Sequence, residues 1–350
     1  LRNNMTNMTP YKAEILSQPS NIRNVLTNFD ARALDDLRKY IKIKKFERII
    51  MTGMGASFFS LYPAWLDLAL LGIPVIHVDI AELIHYADAY VTEKTLLWVV
   101  SQSGRTAELE ALLDKNKFLP GFFLATVNDL TSPLAQRADL FLSIHAEVEK
   151  TVSTRTYVNS LVVNRLTALS LLGKEVSATI QTFAKTADLL EEYLQRFEET
   201  IRELKAQIGI PPHLILIGRG ASLASAWMGA LMMQEAAKFP AFASNAGQFR
   251  HGPLEMVDSK ITAIVMAGSP LTRDLNKKLL LDLLKYGAKG YFLTDEEEKD
   301  IPTITIPRGE EIALPLLEIV PLQCLSISLA ELSGLEAGKF FRLGKITQEE

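Results

Sequence analysis

Short runs of consecutive apolar residues recur along this chain, and stretches with the helical spacing of apolar positions separate them. Such runs predict strands buried on both faces, and their alternation with helices predicts parallel sheets covered by helices. The predicted strands of the first half lie near 48–52, 74–78, 96–100, 121–126 and 139–143. Those of the second half lie near 213–217, 239–243, 261–266, 289–294 and 302–306. The pattern therefore predicts an α/β fold with two five-stranded parallel sheets.

The second half of the chain repeats the first. The strand and turn that end in Gly-Met-Gly-Ala-Ser at Ser57 return as a strand and turn that end in Gly-Arg-Gly-Ala-Ser at Ser222. The strand at Leu97–Val100 likewise returns at Thr262–Val265. A helical stretch rich in Glu, Leu and Lys, from about 177 to 206, is predicted to join the halves. The duplication predicts two domains of similar fold.

The most informative polar segment is Ser101–Thr106, Ser-Gln-Ser-Gly-Arg-Thr, between a predicted strand and a predicted helix. Unpaired N–H groups at a helix start carry partial positive charge, and short hydroxyl side chains add donors, so this segment is typical of a phosphate-binding loop. The alternative is an ordinary helix N-cap. The second half has Met-Ala-Gly-Ser at 266–269 instead. We therefore expect one phosphate loop per chain.

A dinucleotide site is the competing interpretation of the first glycine-rich turn. Gly53 and Gly55 follow a strand, and Asp79 ends the next strand. However, the third glycine of the dinucleotide fingerprint, the one that allows close helix packing, is replaced by Phe58. The sequence therefore does not favour a nicotinamide cofactor.

Composition and charge narrow the function classes. The chain has 350 residues, 48% hydrophobic and 22% charged, with a net charge of −4, which gives no reason to expect nucleic acid or an anionic membrane as partner. A single cysteine, Cys324, excludes an intrachain disulfide and a cysteine zinc cluster, and its apolar neighbours predict a buried position. The most apolar stretch, 61–80, contains Asp67, Pro74 and Asp79 and is not expected to span a membrane. Without an apolar signal-peptide core near the N-terminus, we expect a cytoplasmic protein.

Taken together, from about residue 30 to the C-terminus, these motifs resemble the sugar isomerase (SIS) family, and most closely the isomerase domains of glucosamine-6-phosphate synthases and stand-alone deaminases. The matching segments are Gly55-Ala56-Ser57, Ser101-Gln102-Ser103-Gly104 with Thr106, Val152-Ser153-Thr154-Arg155, Gln234-Glu235, Arg250-His251-Gly252-Pro253 and Arg342-Leu343-Gly344-Lys345. The match at Ser153 holds to within about one position, since one residue of the family's segment is missing.

The resemblance implies two tandem flavodoxin-like SIS subdomains, each a parallel five-stranded sheet flanked by helices. We expect the first, with an N-terminal helical segment, over 1–190, the second over 191–335, and an active-site tail over 336–350. It also implies a phosphosugar ligand, no metal, no cofactor and a homodimer with shared active sites. The implied substrate-binding residues are Gly55, Ala56, Ser57, Ser101, Gln102, Ser103, Thr106, Ser153 and Gly344.

Three further residues are implied to be catalytic. Glu235 would move a proton between C1 and C2 of the sugar, and the apolar run before it would supply the desolvation that suits a carboxylate to this task. His251, which in the family reaches the neighbouring subunit's site, would open the sugar ring, because histidine titrates in the useful range. Lys345 would form a Schiff base with the open-chain carbonyl from a tail anchored by Phe340 and Phe341.

Two departures from the family narrow the expected reaction. Met232 replaces a lysine that the amidotransferases carry one helical turn before the glutamate, and we expect no glutaminase domain in this chain. The leading prediction is metal-independent conversion of glucosamine 6-phosphate to fructose 6-phosphate and ammonia. The alternatives are cleavage of a fructosamine 6-phosphate conjugate, aldose–ketose isomerisation of a phosphosugar and, in another class, a non-catalytic phosphosugar sensor.

Overall fold

The computed structural model describes residues 8–44, 46–114, 117–342 and 344. Ten strands form where the apolar runs predict them: β1 Arg48–Gly53, β2 Val75–His77, β3 Thr95–Ser101, β4 Phe122–Val127, β5 Leu140–Ser143, β6 His213–Gly218, β7 Ala241–Asn245, β8 Ile261–Met266, β9 Lys289–Thr294 and β10 Thr303–Thr305. Because their side chains are mostly buried, these segments read as continuous apolar runs rather than as alternating ones.

The strands form two parallel sheets of five strands each. The first has the order β2-β1-β3-β4-β5, and the second, read from the corresponding edge, has the order β7-β6-β8-β9-β10. Both are therefore the 2-1-3-4-5 order of the flavodoxin-like fold. The register between the central strands differs by one residue: Gly53 pairs with Val100 in the first sheet, whereas Ile217, one residue before the matching Gly218, pairs with Val265 in the second. The predicted fold class is confirmed.

The helices that cover the sheets are α1 Pro10–Leu16, α2 Gln18–Asn28, α3 Ala33–Lys44, α4 Gly55–Leu68, α5 Ile80–Tyr86, α6 Ala107–Leu112, α7 Pro133–Arg137, α8 Arg155–Leu171, α9 Ser177–Leu194, α10 Phe197–Ile208, α11 Ser222–Ala237, α12 Ala246–Phe249, α13 Arg273–Lys285 and α14 Leu314–Leu332. The helical stretch predicted over about 177–206 consists of two helices, α9 and α10. The N–H groups of Gln195 and Arg196 bond to the carbonyls three residues back, which tightens the last turn of α9, and Arg196 leaves helical geometry before α10 begins.

Each sheet has its own hydrophobic core. Ile50, Leu97 and Phe123 belong to the first, and Val265 and Phe292 belong to the second. Two helices are buried along almost their whole length: α8, which packs on α4, and α14, which packs on α10 and α11. Helix α14 supplies Glu318, which bonds to the second glycine turn described below.

The chain divides into two compact units, one around each sheet. The unit of the first sheet contains Ser20–Glu149 and Ser153–Ala184. The unit of the second sheet contains α1, the short segment Lys150–Val152 and Lys185–Phe340. The domain boundaries at 190 and 335 stay a prediction.

Within the described ranges, one helical stretch, Glu311–Leu332, is long and apolar enough to cross a bilayer, and 89% of its most apolar window is buried inside the protein. Its polar residues are bound to neighbouring helices. Glu318 accepts hydrogen bonds from two serines of α11, and Gln323 bonds to the Gln18 side chain. This pattern is that of a core helix. The same helix buries Cys324 completely, as predicted.

Candidate functional site

The polar loop after β3 begins at Ser101 and ends at Thr106, just before α6. Gly104 within it has φ +63°, and a Cβ there would collide with the Ser132 side chain. Only glycine combines this left-handed conformation with so close a neighbour at no steric cost. Gly104 therefore sets the path of the loop.

Hydrogen bonds within the loop hold it in one shape. The Ser101 hydroxyl accepts from the Gly104 N–H at 3.0 Å, and the Gln102 carbonyl accepts from the Asn128 and Asp129 N–H groups at 3.2 and 3.3 Å. The Arg105 guanidinium bonds to the Asp129 carboxylate at 3.1 Å and to Thr131 at 3.1 and 3.2 Å. The arginine thus braces the loop against the segment after β4.

A cavity of about 110 Å³ opens beside this loop. Seven residues implied by the resemblance line it, together with three apolar ones: Ala56, Ser57, Ser101, Gln102, Ser103, Thr106 and Ser153, and Met54, Ile80 and Val100. Two other implied residues do not line it. Gly55 has φ +51° and starts α4 behind Ala56, and Gly344 is exposed.

Thr106 is the residue that distinguishes a binding loop from an ordinary N-cap. It precedes α6 with extended backbone geometry, yet its side chain makes no capping hydrogen bond. Its hydroxyl oxygen is buried and has no hydrogen-bond partner among the described residues. Buried polar atoms are almost always satisfied, so an orphaned hydroxyl beside a cavity indicates a ligand that supplies the partner. None of the residues lining the cavity is charged, and anion binding here would rest on hydroxyl and N–H donors.

Ser153 reaches the cavity because a buried carboxylate holds the turn around it. Glu149 accepts hydrogen bonds from the Thr154 N–H and hydroxyl at 2.7 and 2.8 Å and from the Thr156 hydroxyl at 2.7 Å. These bonds fix the start of α8, a helix N-terminus where a negative charge is favourable. Sequence reasoning missed Glu149, because it lies six residues before the first residue of α8, outside the positions where a capping residue is expected.

An aromatic stack packs behind the first turn. The His77 ring lies parallel to the Phe58 ring at 3.8 Å, and its Nε2 is 3.0 Å from the Phe58 carbonyl. Burial lowers the pKa of His77 to about 4, so the ring stays neutral at physiological pH. His77 therefore has a structural role in the unit of the first sheet.

The corresponding turn of the second unit is filled by the chain's own side chains. The Ser222 and Ser225 hydroxyls each donate to the Glu318 carboxylate at 2.6 Å, and burial raises the pKa of Glu318 to about 7. Asn276 bonds to the Met266 and Ala267 carbonyls and accepts from Arg219 at 3.2 Å. The Ser222 hydroxyl, which matches Ser57 of the first unit, is thus bound by a carboxylate of the same chain, and one phosphate loop per chain stays a prediction.

Glu235 lies near the end of α11, where the Gln234 side chain bonds to the Ala241 carbonyl at 2.6 Å. Since Ala241 begins β7, Glu235 is at the amino edge of the second sheet, not at the carboxyl edge where its glycine turns lie. The preceding Met232 is completely buried, but Glu235 itself is only half-buried. The desolvation expected from the apolar run is therefore partial.

His251 lies at the other end of β7. It is exposed in the turn after α12, where its N–H donates to the Gln248 carbonyl at 2.9 Å. Strand β7 is five residues long, which corresponds to about 16 Å. Within one chain, His251 and Glu235 are therefore on opposite edges of the second sheet and are not brought together.

The tail begins next to Glu235. The Gly338 N–H donates to the Ala236 carbonyl at 3.1 Å, and Ala337 and Gly338 are buried. Of the two phenylalanines predicted to anchor the tail, Phe340 is half-buried and Phe341 is 57% exposed. A Cβ at Gly338 would press on the Tyr11 ring, so the tail is held by a close backbone approach. Lys345 lies outside the described residues.

Comparison with known proteins decides the family. The SIS domain model matches residues 42–170 and 211–332. This chain belongs to the SIS domain family. Its two matched segments coincide with the two sheets and their covering helices, as the duplication predicts.

Its sequence is similar to the glutamine–fructose-6-phosphate aminotransferases (isomerizing) of Pyrococcus horikoshii and Aquifex aeolicus. It is 30% identical to the first over 92% of this chain and 54% of that protein, and 28% identical to the second over 96% and 57%. The chain thus spans about half the length of these relatives.

Two solved structures share the fold of the SIS chain. The C-terminal domain of glucosamine-fructose-6-phosphate aminotransferase from Francisella tularensis has a TM-score of 0.83 at 22% identity, covering 95% of this chain and 99% of that one. Glucosamine-6-phosphate deaminase from Thermotoga maritima has a TM-score of 0.75 at 19% identity, covering 97% and 100%.

Proposed function

We propose that this SIS protein is a phosphosugar enzyme that converts glucosamine 6-phosphate to fructose 6-phosphate and ammonia. The observation that carries the proposal is the cavity at the end of β3, with its cluster of serine hydroxyls and the unpartnered Thr106 hydroxyl. The names of its relatives support a phosphorylated hexose, since they act on fructose 6-phosphate or glucosamine 6-phosphate.

The phosphate would bind in the cavity through Ser57, Ser101, Ser103, Thr106 and Ser153. Phosphate oxygens accept several hydrogen bonds at once, and hydroxyl donors at a rigid loop satisfy them without a lysine or arginine. Because Arg105 is held by Asp129 and Thr131, it would stabilise the loop rather than contact the ligand.

The chemistry on the sugar follows from the proposed side chains. His251 would transfer a proton to the ring oxygen while the C1 hydroxyl loses one, which opens the ring to the aldehyde. Glu235 would then take the C2 proton and return it to C1, converting the 2-amino aldose into a 2-imine. The Lys345 amine would then add to C2 of the imine and displace ammonia, which gives a Schiff base at C2. Water hydrolyses this Schiff base to the ketose and frees the lysine.

The positions of Glu235 and His251 at opposite ends of β7 support a homodimer with shared sites. Two residues on opposite edges of one sheet cannot act on the same carbon atoms, but a partner related by two-fold symmetry can supply the second group. His251 is exposed in its turn, as a residue that reaches into a neighbouring subunit would be. We therefore propose that each site combines Glu235 of one protomer with His251 of its partner.

The test is a panel of phosphosugars incubated with the protein. We expect ammonia and fructose 6-phosphate from glucosamine 6-phosphate at the highest kcat/KM in the panel. A release of free amino acid from fructosamine 6-phosphate conjugates, or ketose formation only from unaminated aldose phosphates, would redirect the proposal to deglycation or isomerisation. Tight binding of phosphosugars without turnover would indicate a sensor.

A further inference from the structure

The end of α11 contains a backbone conformation that side chains seldom adopt. Lys238 has φ +56° and ψ 29°, the left-handed region in which glycine is the usual residue after a helix. The Phe239 N–H reaches back to the Met233 carbonyl at 2.9 Å, so Lys238 occupies the terminating position itself. A Cβ in this conformation costs stability. Strained backbone of this kind concentrates at functional sites.

The Lys238 side chain folds back onto the candidate base. Its ammonium group donates to the backbone oxygen of Glu235. Burial lowers the pKa of Lys238, and the charge of the Glu235 carboxylate opposes that shift. The tail segment packed on α11 here contributes Glu336 and Lys339, both of which are exposed.

We propose that Lys238 is a positioning residue for Glu235: its ammonium group fixes the last turn of α11 and holds the neighbouring carboxylate in the ionised form that accepts a proton. The inference rests on the proposed function of Glu235. A cation beside a carboxylate favours the charged form, and a base must be ionised before it can take the C2 proton. In this proposal Lys238 keeps the half-buried Glu235 ionised, so that it can accept the C2 proton.

The competing explanation is a cap. A lysine at a helix C-terminus can simply satisfy the last carbonyls and interact with the helix dipole. The two explanations differ in what glycine does at this position. If Lys238 is only a cap, Lys238→Gly relieves the strained backbone and leaves Glu235 unchanged. If Lys238 positions Glu235, the same substitution relieves the strain and impairs the base.

The experiment compares Lys238→Gly, Lys238→Met and Lys238→Arg with the wild type. Lys285→Met, which removes a lysine from the last turn of α13, is the matched control. Turnover of glucosamine 6-phosphate gives kcat and KM, and thermal unfolding gives stability. The titration of the Glu235 carboxyl carbon, assigned against Glu235→Gln in protein with carbon-13 glutamate, is read by NMR and does not depend on turnover.

We expect kcat to fall by about 10- to 100-fold in Lys238→Gly and Lys238→Met, below the loss of 10²–10⁴ typical of removing a base itself, with KM within about twofold. Lys238→Gly should unfold at or above the wild-type temperature, the Glu235 titration should move to higher pH in both variants, and Lys238→Arg should restore both readouts. An unchanged Glu235 titration in Lys238→Met would overturn the inference whether or not the wild type turns over. Absence of wild-type turnover with a shifted titration would instead contradict only the proposed reaction.

Discussion

The Ser222 hydroxyl donates a hydrogen bond of 2.6 Å to the Glu318 carboxylate, and this contact separates the two copies of the duplicated turn. Ser57, the matching residue of the first copy, lines the open cavity, and no hydrogen bond joins its side chain to another described residue. The same turn thus has different surroundings in the two units. In the second unit an internal carboxylate occupies it, and in the first it is open to a ligand.

The Glu318 contact makes stability depend on pH. Burial raises the pKa of Glu318 from 4.5 to about 7, so the folded state binds the proton more tightly than the unfolded state does. The stabilisation from this proton is complete below pH 4.5, and it is lost as the pH rises through about 7. A shift of this size corresponds to about 3 kcal/mol.

Glu318→Gln keeps the shape of the side chain and removes its titration. Between pH 5 and pH 8, we expect the free energy of unfolding of the wild type to fall by up to about 3 kcal/mol more than that of the variant. Urea unfolding at a series of pH values measures it. A difference between the two proteins that is the same at every pH would show that Glu318 does not titrate in this range.

Complementation tests the shared active site. Glu235→Gln and His251→Asn should each abolish turnover, but co-refolded mixtures should recover about a quarter of the wild-type activity, because half of randomly mixed dimers are heterodimers with one intact site. The control is each variant refolded alone. If the mixture stays as inactive as its parents while heterodimers are present, both groups act within one chain.

Lys345 is tested by chemical trapping. If it forms a Schiff base with the open-chain sugar, borohydride added during turnover should leave a covalent adduct on the wild type that is absent from Lys345→Ala. Lys339→Ala, an exposed lysine in the same tail, serves as the control. Turnover of Lys345→Ala should fall by about 10²–10⁴-fold. Adducts of equal yield on both lysine variants would assign the amine elsewhere.

The strands could be predicted from the sequence because short continuous apolar runs in an α/β chain are typical of buried strands. The glycine turns that follow two of these runs marked where those strands end. The break between α9 and α10 could not, because the apolar and charged positions continue through Gln195 and Arg196 without interruption. Helix α9 ends there because two backbone N–H groups bond to the carbonyls three residues earlier. No residue type in the segment indicates that change of bonding pattern.

The cavity residues were predicted because they are contiguous motifs at the ends of strands. Glu318 and Lys238 were missed for a different reason. Glu318 meets Ser222 only after α14 has packed on α11, and the strained conformation of Lys238 is a property of backbone geometry that a lysine does not signal. In the tail, Phe341 is 57% exposed although aromatic residues predict burial by type, and Gly338 makes a backbone contact that its residue type does not signal.

The most direct test of the account is phosphate recognition by the Thr106 hydroxyl. Binding of glucosamine 6-phosphate and of unphosphorylated glucosamine is measured by calorimetry for the wild type and Thr106→Val. Thr272→Val is the matched control. Thr272 lies in the second unit and also precedes its helix with a buried hydroxyl that has no partner among the described residues.

A hydrogen bond to a charged group contributes about 1.5–3 kcal/mol. We therefore expect Thr106→Val to weaken binding of the phosphosugar by about 10- to 100-fold, with no change for glucosamine and none in Thr272→Val. Equal affinity of the wild type and Thr106→Val for glucosamine 6-phosphate would contradict the account.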